Sequence, residues 1–373
     1  MKFVCTKENL TRVLEGCSGV TNKQAHLPIL SNVLFETDES GVRVVVTNLE
    51  IAIKAHLRAK VENKGSFTVP AKTLIDYVRL LSEDQVHIEL QENQLIVQSG
   101  SSSTKIKGTP ADEFPVIPEI EETIAYTIRE DVLRDGIGKT AIAAAKNEIR
   151  PELSGVYCKF FGTETGLTMA ATDSYRLAET KIPISQGQEE FTCIVPAQSM
   201  YEISKLLSGD KSEGEKEGVR IWLSDSQIGV RYGVFEMTSR LIDGTYPDYT
   251  QIIPSEFKTT TELPLDVLVK KIKAASLFTT TGVNAVSFDL NVEQGTVGIS
   301  STSTQTGEHT SEVDALVVGD ENSILLNHRY VLDGLGQIET DIVEFCVNGS
   351  DAPCLFRPKG SENYLYIVMP IRQ

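Results

Sequence analysis

Apolar and polar positions along this chain follow two rhythms. After Thr6, the residues Leu10, Val13, Leu14 and Cys17 fall at i, i+3, i+4 and i+7, which places one apolar stripe on a helix with Thr6 as its N-cap. After Pro70, Leu74, Ile75, Val78 and Leu81 share one side of a second helix, while Lys72, Asp76 and Arg79 point elsewhere. Period-two runs follow at 86–90 and 94–98, joined by the polar turn Gln91-Glu92-Asn93. Further on, the apolar run 156–161, a glycine-bounded turn at 162–166 and the run 167–171 predict a hairpin.

The hairpin recurs. Segments 31–52, 154–178 and 284–304 align with one another, and their turn glycines Gly41, Gly166 and Gly295 are spaced by 125 and 129 residues. A second marker agrees: FTVPAKTLIDYVRLL at 67–81 matches FTCIVPAQSMYEISKLL at 191–207, with Pro70 and Pro196 separated by 126 residues, and more loosely ILLNHRYVLDGLGQI at 324–338. An interval of this size is that of a single domain. The chain therefore reads as α+β, with three repeats of helix, hairpin, second helix and further strands. Phe114-Pro115 and Tyr246-Pro247 close the first two repeats, giving domains 1–125, 126–254 and 255–373.

Composition narrows the class. With 373 residues and 40% hydrophobic content, the chain can bury three cores, and its longest apolar run, 364–371, is too short to span a bilayer. Only Phe3, Val4 and Cys5 separate Lys2 from polar sequence, so no signal-peptide core is expected. The six cysteines form no CxxC pair and sit in apolar contexts, which predicts buried, reduced thiols and a cytoplasmic protein. A net charge of −17 argues against an open basic surface that grips nucleic acid. The sum hides a pattern, because bases cluster on helical segments: Lys7 and Arg12, Lys72 and Arg79, Lys139 and Lys146, and Lys270, Lys271 and Lys273. Acids gather in turns, as at 119–122 and in the loop 208–218.

Catalytic patterns are missing. Gly138-Lys139-Thr140 resembles the end of a phosphate-binding loop, but Leu133 stands where the earlier glycine is required, and the repeat places the segment in a helix. The five histidines lack metal-ligand spacing, and His87 alternates with apolar residues as an exposed strand position does. No GxSxG elbow occurs. Asp173, between Thr172 and Ser174, has no histidine partner nearby and reads as a hydrogen-bonded turn residue.

Six phrases occur in order: MKFVCTKENL at the start, LPILSN at 27–32, RPELSGV at 150–156, ATDSYRLA at 171–178, GTYPDY at 244–249 and YIVMPIR at 366–372. Together they make the chain resemble the bacterial sliding clamps, the beta subunits of DNA polymerase III, over its whole length. That resemblance implies three clamp-type domains, each with two helices packed on antiparallel sheets, and a head-to-tail dimer that closes as a ring around double-stranded DNA. Twelve helices at ~10 Å spacing give a circumference of roughly 120 Å and so a diameter of about 38 Å, and subtracting a helix diameter of ~10 Å leaves a hole of nearly 30 Å. Basic helices would then face phosphates while the acidic exterior repels unthreaded DNA.

The resemblance also implies a protein-binding pocket between the second and third domains. Its apolar wall would hold Leu153, Leu177, Pro247, Ile252, Ile367, Met369 and Ile371, with Arg150, Thr172, Arg176 and Arg372 as polar rim and Ser174, Tyr175 and Pro370 alongside. Such a hollow suits a short extended peptide with leucine and aromatic side chains; singly, Ile367 and Leu177 also read as core strand residues. Gln251 stands where some relatives have arginine, and Gln373 where some end in an apolar residue. Lys23, Gln24, Lys72, Arg79, Lys146 and Asn147 would face DNA. Leu277 and Phe278 would meet the strand around Ile106 at the dimer seam. Implied partners are the DNA polymerase III alpha subunit, clamp loader subunits, and other proteins with clamp-binding motifs: repair polymerases, mismatch repair proteins and ligase. No membrane, cofactor or metal is implied.

Two other readings compete. One is an enzyme with its site around Asp173, Arg150 and Arg176, acting on a phosphorylated ligand. The missing nucleophile–base pair and metal set argue against it. The other is a clamp relative that binds partners without encircling DNA.

Overall fold

The structure is a computed structural model that describes residues 1–21, 27–146, 149–162, 166–209 and 218–372. Six α-helices are present among these residues: α1 Lys7–Cys17, α2 Ala71–Leu80, α3 Glu130–Ala141, α4 Ala197–Gly209, α5 Leu265–Ser276 and α6 His328–Leu335. They fall two to a repeat, as the periodicity requires. Helix α1 begins where Thr6 Oγ1 accepts the Asn9 N–H at 3.2 Å, which satisfies one of the orphan donors of the first turn. Its buried residues are the four of the apolar stripe. Helix α2 buries Ala71, Leu74, Ile75 and Val78 and stops at Leu81. Asn327 caps α6 by accepting the Arg329 N–H at 3.0 Å.

The chain divides into two compact units. The first comprises residues 1–134, 184–189 and 198–241 and holds α1, α2 and nearly all of α4. Its eight-stranded sheet runs Ile124–Ile128, Val219–Leu223, Gln227–Tyr232, Phe235–Arg240, Ile51–Leu57, Val42–Thr47, Asn32–Thr37, Gly65–Pro70. A five-stranded sheet runs Ala59–Asn63, Lys2–Thr6, Gln85–Gln91, Gln94–Ser99, Ser102–Lys107. Phe3 and Phe35, both fully buried, meet at 5.9 Å.

The second unit comprises residues 135–183, 190–197 and 242–373. Its nine-stranded sheet runs Phe191–Pro196, Gly155–Phe160, Leu167–Thr172, Arg176–Ile182, Tyr364–Val368, Cys354–Pro358, Ile342–Val347, Thr259–Pro264, Leu316–Gly319. The predicted hairpin at 156–171 is its second and third strands. A four-stranded sheet runs Gly307–Asp314, Thr296–Ser303, Ala285–Asn291, Asn322–Asn327. The pairings in all four sheets are antiparallel. Phe345 stacks on Phe356 at 4.4 Å and meets Phe288 edge-on at 5.7 Å, and each such side chain contributes about 2 kcal/mol of burial.

All six cysteines are free and buried. Burial pushes the Cys5 and Cys17 thiols up to about 12, with Lys205 opposing it at Cys17, and the Cys346 thiol to about 11. These are packing residues with little thiolate at neutral pH.

The helical bases are not uniformly free. Lys139 of α3 is only 17% exposed, pairs with Asp135 and lies 5.8 Å from the Tyr364 ring centre, so it is a structural lysine rather than a solvated one. Gly138 and Thr140 are helical, and Thr140 Oγ1 donates to the Gly136 carbonyl at 2.8 Å; no phosphate-binding loop forms. Lys7 donates to the Leu81 carbonyl. No helix among the described residues is long and apolar enough to cross a membrane.

Candidate functional site

The phrases at 171–178 and 366–372 meet because the strand Arg176–Ile182 pairs with Tyr364–Val368, and the phrase at 150–156 joins them where Leu153 packs in one buried cluster with Leu177 and Ile367. Arg176 lies opposite Val368, and Leu177 opposite Ile367. The ladder continues past the strand end: Met369 N–H donates to the Tyr175 carbonyl at 2.8 Å, and Ile371 N–H to the Leu325 carbonyl at 2.8 Å. The tail is thereby pinned on both sides of Pro370, which has no N–H to give.

Beside it, Asp173 builds a tight turn. Its Oδ1 accepts the N–H groups of Tyr175 and Arg176 at 3.0 and 3.1 Å, and its Oδ2 accepts Arg176 Nε at 3.1 Å. Thr172 Oγ1 donates to the Arg176 carbonyl at 2.6 Å and accepts the Ser174 N–H at 3.1 Å, holding Ser174 at φ +76°, a conformation that needs such local bonds in a residue other than glycine. Asp173 is thus a turn acceptor with both oxygens engaged, as its sequence context predicts.

The expected pocket residues separate by depth. Leu153, Leu177 and Ile367 are buried in one cluster with Ala170, Ile194, Tyr246 and Tyr249. Met369, Pro370, Ile371 and Pro247 are half-buried, and Ser174, Arg150, Ile252 and Arg372 are exposed. Tyr175 is 63% exposed and stacks on Tyr330 at 6.4 Å. Arg150 pairs with Glu152 at 2.9 Å.

Arg176 departs from the expected rim. Only 4% exposed, its Nη1 donates to Asp333 Oδ2 at 2.6 Å and to Tyr366 Oη at 3.3 Å, and its guanidinium lies 4.6 Å from the Tyr330 ring centre. Burial draws its pKa down, but Tyr366, Asp333 and Asp173 outweigh that, and the guanidinium is held charged. It is a strut joining the turn to α6 and the C-terminal strand. Gly334 of α6 makes the approach possible, since a Cβ there would meet the Tyr366 ring at 2.2 Å.

Sequence reasoning missed Tyr330, Asp333 and Tyr366, which sit about 150 to 190 residues from Arg176 in the chain. It also missed Tyr246, whose hydroxyl accepts the Thr172 N–H at 3.0 Å and ties the segment carrying Pro247 and Ile252 to the turn. The only signal was the GTYPDY phrase, in which the tyrosine stood beside the chosen proline.

Lys72 and Arg79 of α2 are exposed but pair with Asp76 at 2.5 Å and Glu15 at 2.8 Å. Lys146 is exposed, whereas Lys23, Gln24, Asn147 and Gln373 lie outside the described residues, as does most of the loop 208–218. Leu277 is 70% exposed at the end of α5, and Phe278 stacks on His309 at 5.8 Å. Ile106 is buried by its own sheet, while Lys105 and Lys107 on the same end strand are exposed. Among the described residues, no three of His, Cys, Asp and Glu are grouped to hold a metal.

Comparison with solved structures gives the class. The chain superimposes over its full length on the DNA polymerase sliding clamp of Bacillus subtilis, with TM-score 0.92, 28% identity and 99% of that chain covered. The DNA polymerase III beta subunit of Thermotoga maritima gives the same values. A Pseudomonas aeruginosa sliding clamp bound to griselimycin also matches at TM-score 0.92 and 28% identity, with both chains fully covered. The fold is that of a sliding clamp, a non-catalytic processivity factor.

Beta sliding clamps of Synechococcus elongatus and Haemophilus influenzae are each 28% identical, covering all of this chain and 99% and 100% of their own lengths. Three family models, described as the N-terminal, central and C-terminal domains of the DNA polymerase III beta subunit, match residues 1–118, 127–248 and 250–372. The chain belongs to the DNA polymerase III beta subunit family, the bacterial sliding clamps.

Proposed function

We propose that two copies close head to tail into a ring around duplex DNA in the cytoplasm, and that each copy tethers replication and repair proteins through the surface at Tyr175 and Met369–Arg372. The domains are 1–125, 126–254 and 255–373. The observation that carries the tether is the pinned tail. Met369, Pro370 and Ile371 stay half-buried and held by the backbone, with the Met369 N–H on the carbonyl of the exposed Tyr175 and the Ile371 N–H on that of Leu325. A flexible thioether beside an exposed tyrosine, on a tail fixed by its backbone, accommodates leucine and aromatic side chains of different partners. The polymerase alpha subunit, clamp loader subunits, repair polymerases, mismatch repair proteins and ligase would use it in turn.

Ring closure is supported by complementary sheet ends. The end strand Ser102–Lys107 exposes Lys105 and Lys107, and the end strand Gly307–Asp314 exposes Glu308, Glu312 and Asp314. A second copy would join unlike charges and cover Leu277 and Phe278, removing an edge that otherwise invites uncontrolled pairing. Inside the ring, Lys72, Arg79 and Lys146 would meet phosphates beside Lys23, Gln24 and Asn147. The exposed pairs Lys72–Asp76 and Arg79–Glu15 are each worth at most ~1 kcal/mol, so exchanging them for phosphate is nearly neutral, which favours sliding over gripping.

The test is fluorescence polarisation with a labelled peptide from the polymerase alpha subunit that carries leucine and phenylalanine. The double variant Met369→Ala, Arg372→Ala should weaken binding by at least about tenfold, roughly 1.4 kcal/mol, while sedimentation still shows a dimer. Loss of the dimer with peptide affinity intact would make the tail structural and end the proposal.

A further inference from the structure

One face of the nine-stranded sheet bears a cavity of about 490 Å³ lined from the segment 246–253 and from three adjacent strands. Lys159 lies opposite Thr168, and Thr168 opposite Lys181, so the three side chains form one row on one face. The lysines are two strand spacings apart, ~9.5 Å at the backbone. In the next row stand Tyr157, Ala170 and Glu179.

The wall is aromatic. Tyr157 and Tyr246 are 5.2 Å apart with their planes tilted by 31°, and Tyr249 meets both edge-on at 6.0 and 6.4 Å. The carboxylates in the cavity are already engaged: Glu179 Oε2 accepts the Tyr249 hydroxyl at 2.6 Å, and Asp248 accepts Thr250 N–H, Thr250 Oγ1 and Gln251 Nε2 at 3.2, 2.5 and 2.9 Å. The positive groups are not. Lys181 Nζ stands 4.0 Å from Glu179 Oε1, a loose contact, and Lys159 makes no ion pair with a described residue. A tyrosine-lined hollow with engaged acids and two ammonium groups that have no close ion pair among the described residues is complementary to a flat ring carrying one negative charge, and its volume is that of a small-molecule site.

We propose that this cavity is a binding site for a small aromatic acid, with the ring against Tyr157 and Tyr246 and the acid group between Lys159 and Lys181. It shares Pro247 with the pocket wall expected from the sequence, but its lining includes neither Tyr175 nor the tail Met369–Arg372, and it does not depend on them.

Isothermal titration of the full-length protein with indoleacetate, and with indoleacetamide as the uncharged counterpart, tests this. Saturable indoleacetate binding near ~1 mM is expected for a ligand of this size, with the amide weaker by roughly tenfold. The double variant Lys159→Met, Lys181→Met should bind both probes with the weaker affinity while melting at the wild-type temperature. The variant Met369→Ala should bind indoleacetate as wild type does. Absence of saturation by about 10 mM, equal affinity for the amide, an unchanged double variant, or loss of binding in Met369→Ala would each overturn the site.

Discussion

Replacing Arg176 by methionine separates two roles for the residue at the centre of the site. Methionine keeps much of the aliphatic stem and removes the charge, so packing against Tyr330 and Tyr366 changes least. Breaking a buried ion pair costs about 3–5 kcal/mol when a partner is left uncompensated. Here the compensation is partial. Asp173 keeps the Tyr175 N–H and the residue-176 N–H, the Tyr366 hydroxyl keeps its bond to the Tyr330 carbonyl at 2.8 Å, and Asp333 is 50% exposed and turns to water. The screened Asp333 pair contributes little, which puts the loss near the lower end, about 3 kcal/mol. A unit of this size should then melt roughly 6–12 °C lower, read by circular dichroism on the full chain. Peptide binding should weaken only as the turn loosens, and should recover on cooling well below the new transition. A variant that melts within about 1 °C of wild type yet cannot bind peptide at low temperature would show that Arg176 is a contact of the rim and not a strut.

Other outcomes follow from particular residues. Glu202 of α4 is buried, its Oε1 accepts Gln198 Nε2 at 2.8 Å, and its Oε2 has no hydrogen-bond partner among the described residues and lies where a Cβ on Gly19 would be 1.9 Å away. Burial raises its pKa, with Lys205 and Gln198 opposing. A raised folded-state pKa gives stability that is complete below the unfolded value of ~4.3 and is lost as pH rises through the folded value. Glu202→Gln should therefore match wild type in urea midpoint near pH 4 and exceed it by about 1 kcal/mol near pH 7; equal midpoints at both pH values would contradict this. Leu277→Asp, at a 70% exposed position, should leave the chain's own stability within about 0.5 kcal/mol while weakening the dimer by about 3 kcal/mol, roughly a hundredfold, in sedimentation equilibrium. An unchanged dimer would remove Leu277 from the seam.

The local architecture was legible in the sequence because its causes are local. A threonine cap and four apolar positions determine α1, and Pro70 followed by a 3.6-residue stripe determines α2. Asp173 was recognisable as a turn residue because its acceptors serve donors two and three positions away. What stayed hidden depends on distant partners. The pairing of Arg176–Ile182 with Tyr364–Val368 joins strands separated by most of two repeats, and without it Arg176 looks like any charged residue at the edge of a pocket. Its burial follows only once Tyr330, Asp333 and Tyr366 close around it. Lys139 misled for the same reason, since a helical lysine gives no sign that Tyr364 will lie over it. Leu177 and Ile367 read equally well as core and as pocket, and in the structure they are buried in one core cluster.

Retention on circular DNA tests encirclement most directly. The protein is loaded by a clamp loader onto a nicked circle, free protein is removed at elevated salt, and half the sample is cut once. A closed ring stays on the intact circle, because its hold is topological and salt weakens only phosphate contacts, and it leaves after the cut by sliding off the ends. Equal release from cut and uncut DNA would contradict encirclement, whatever the peptide surface binds.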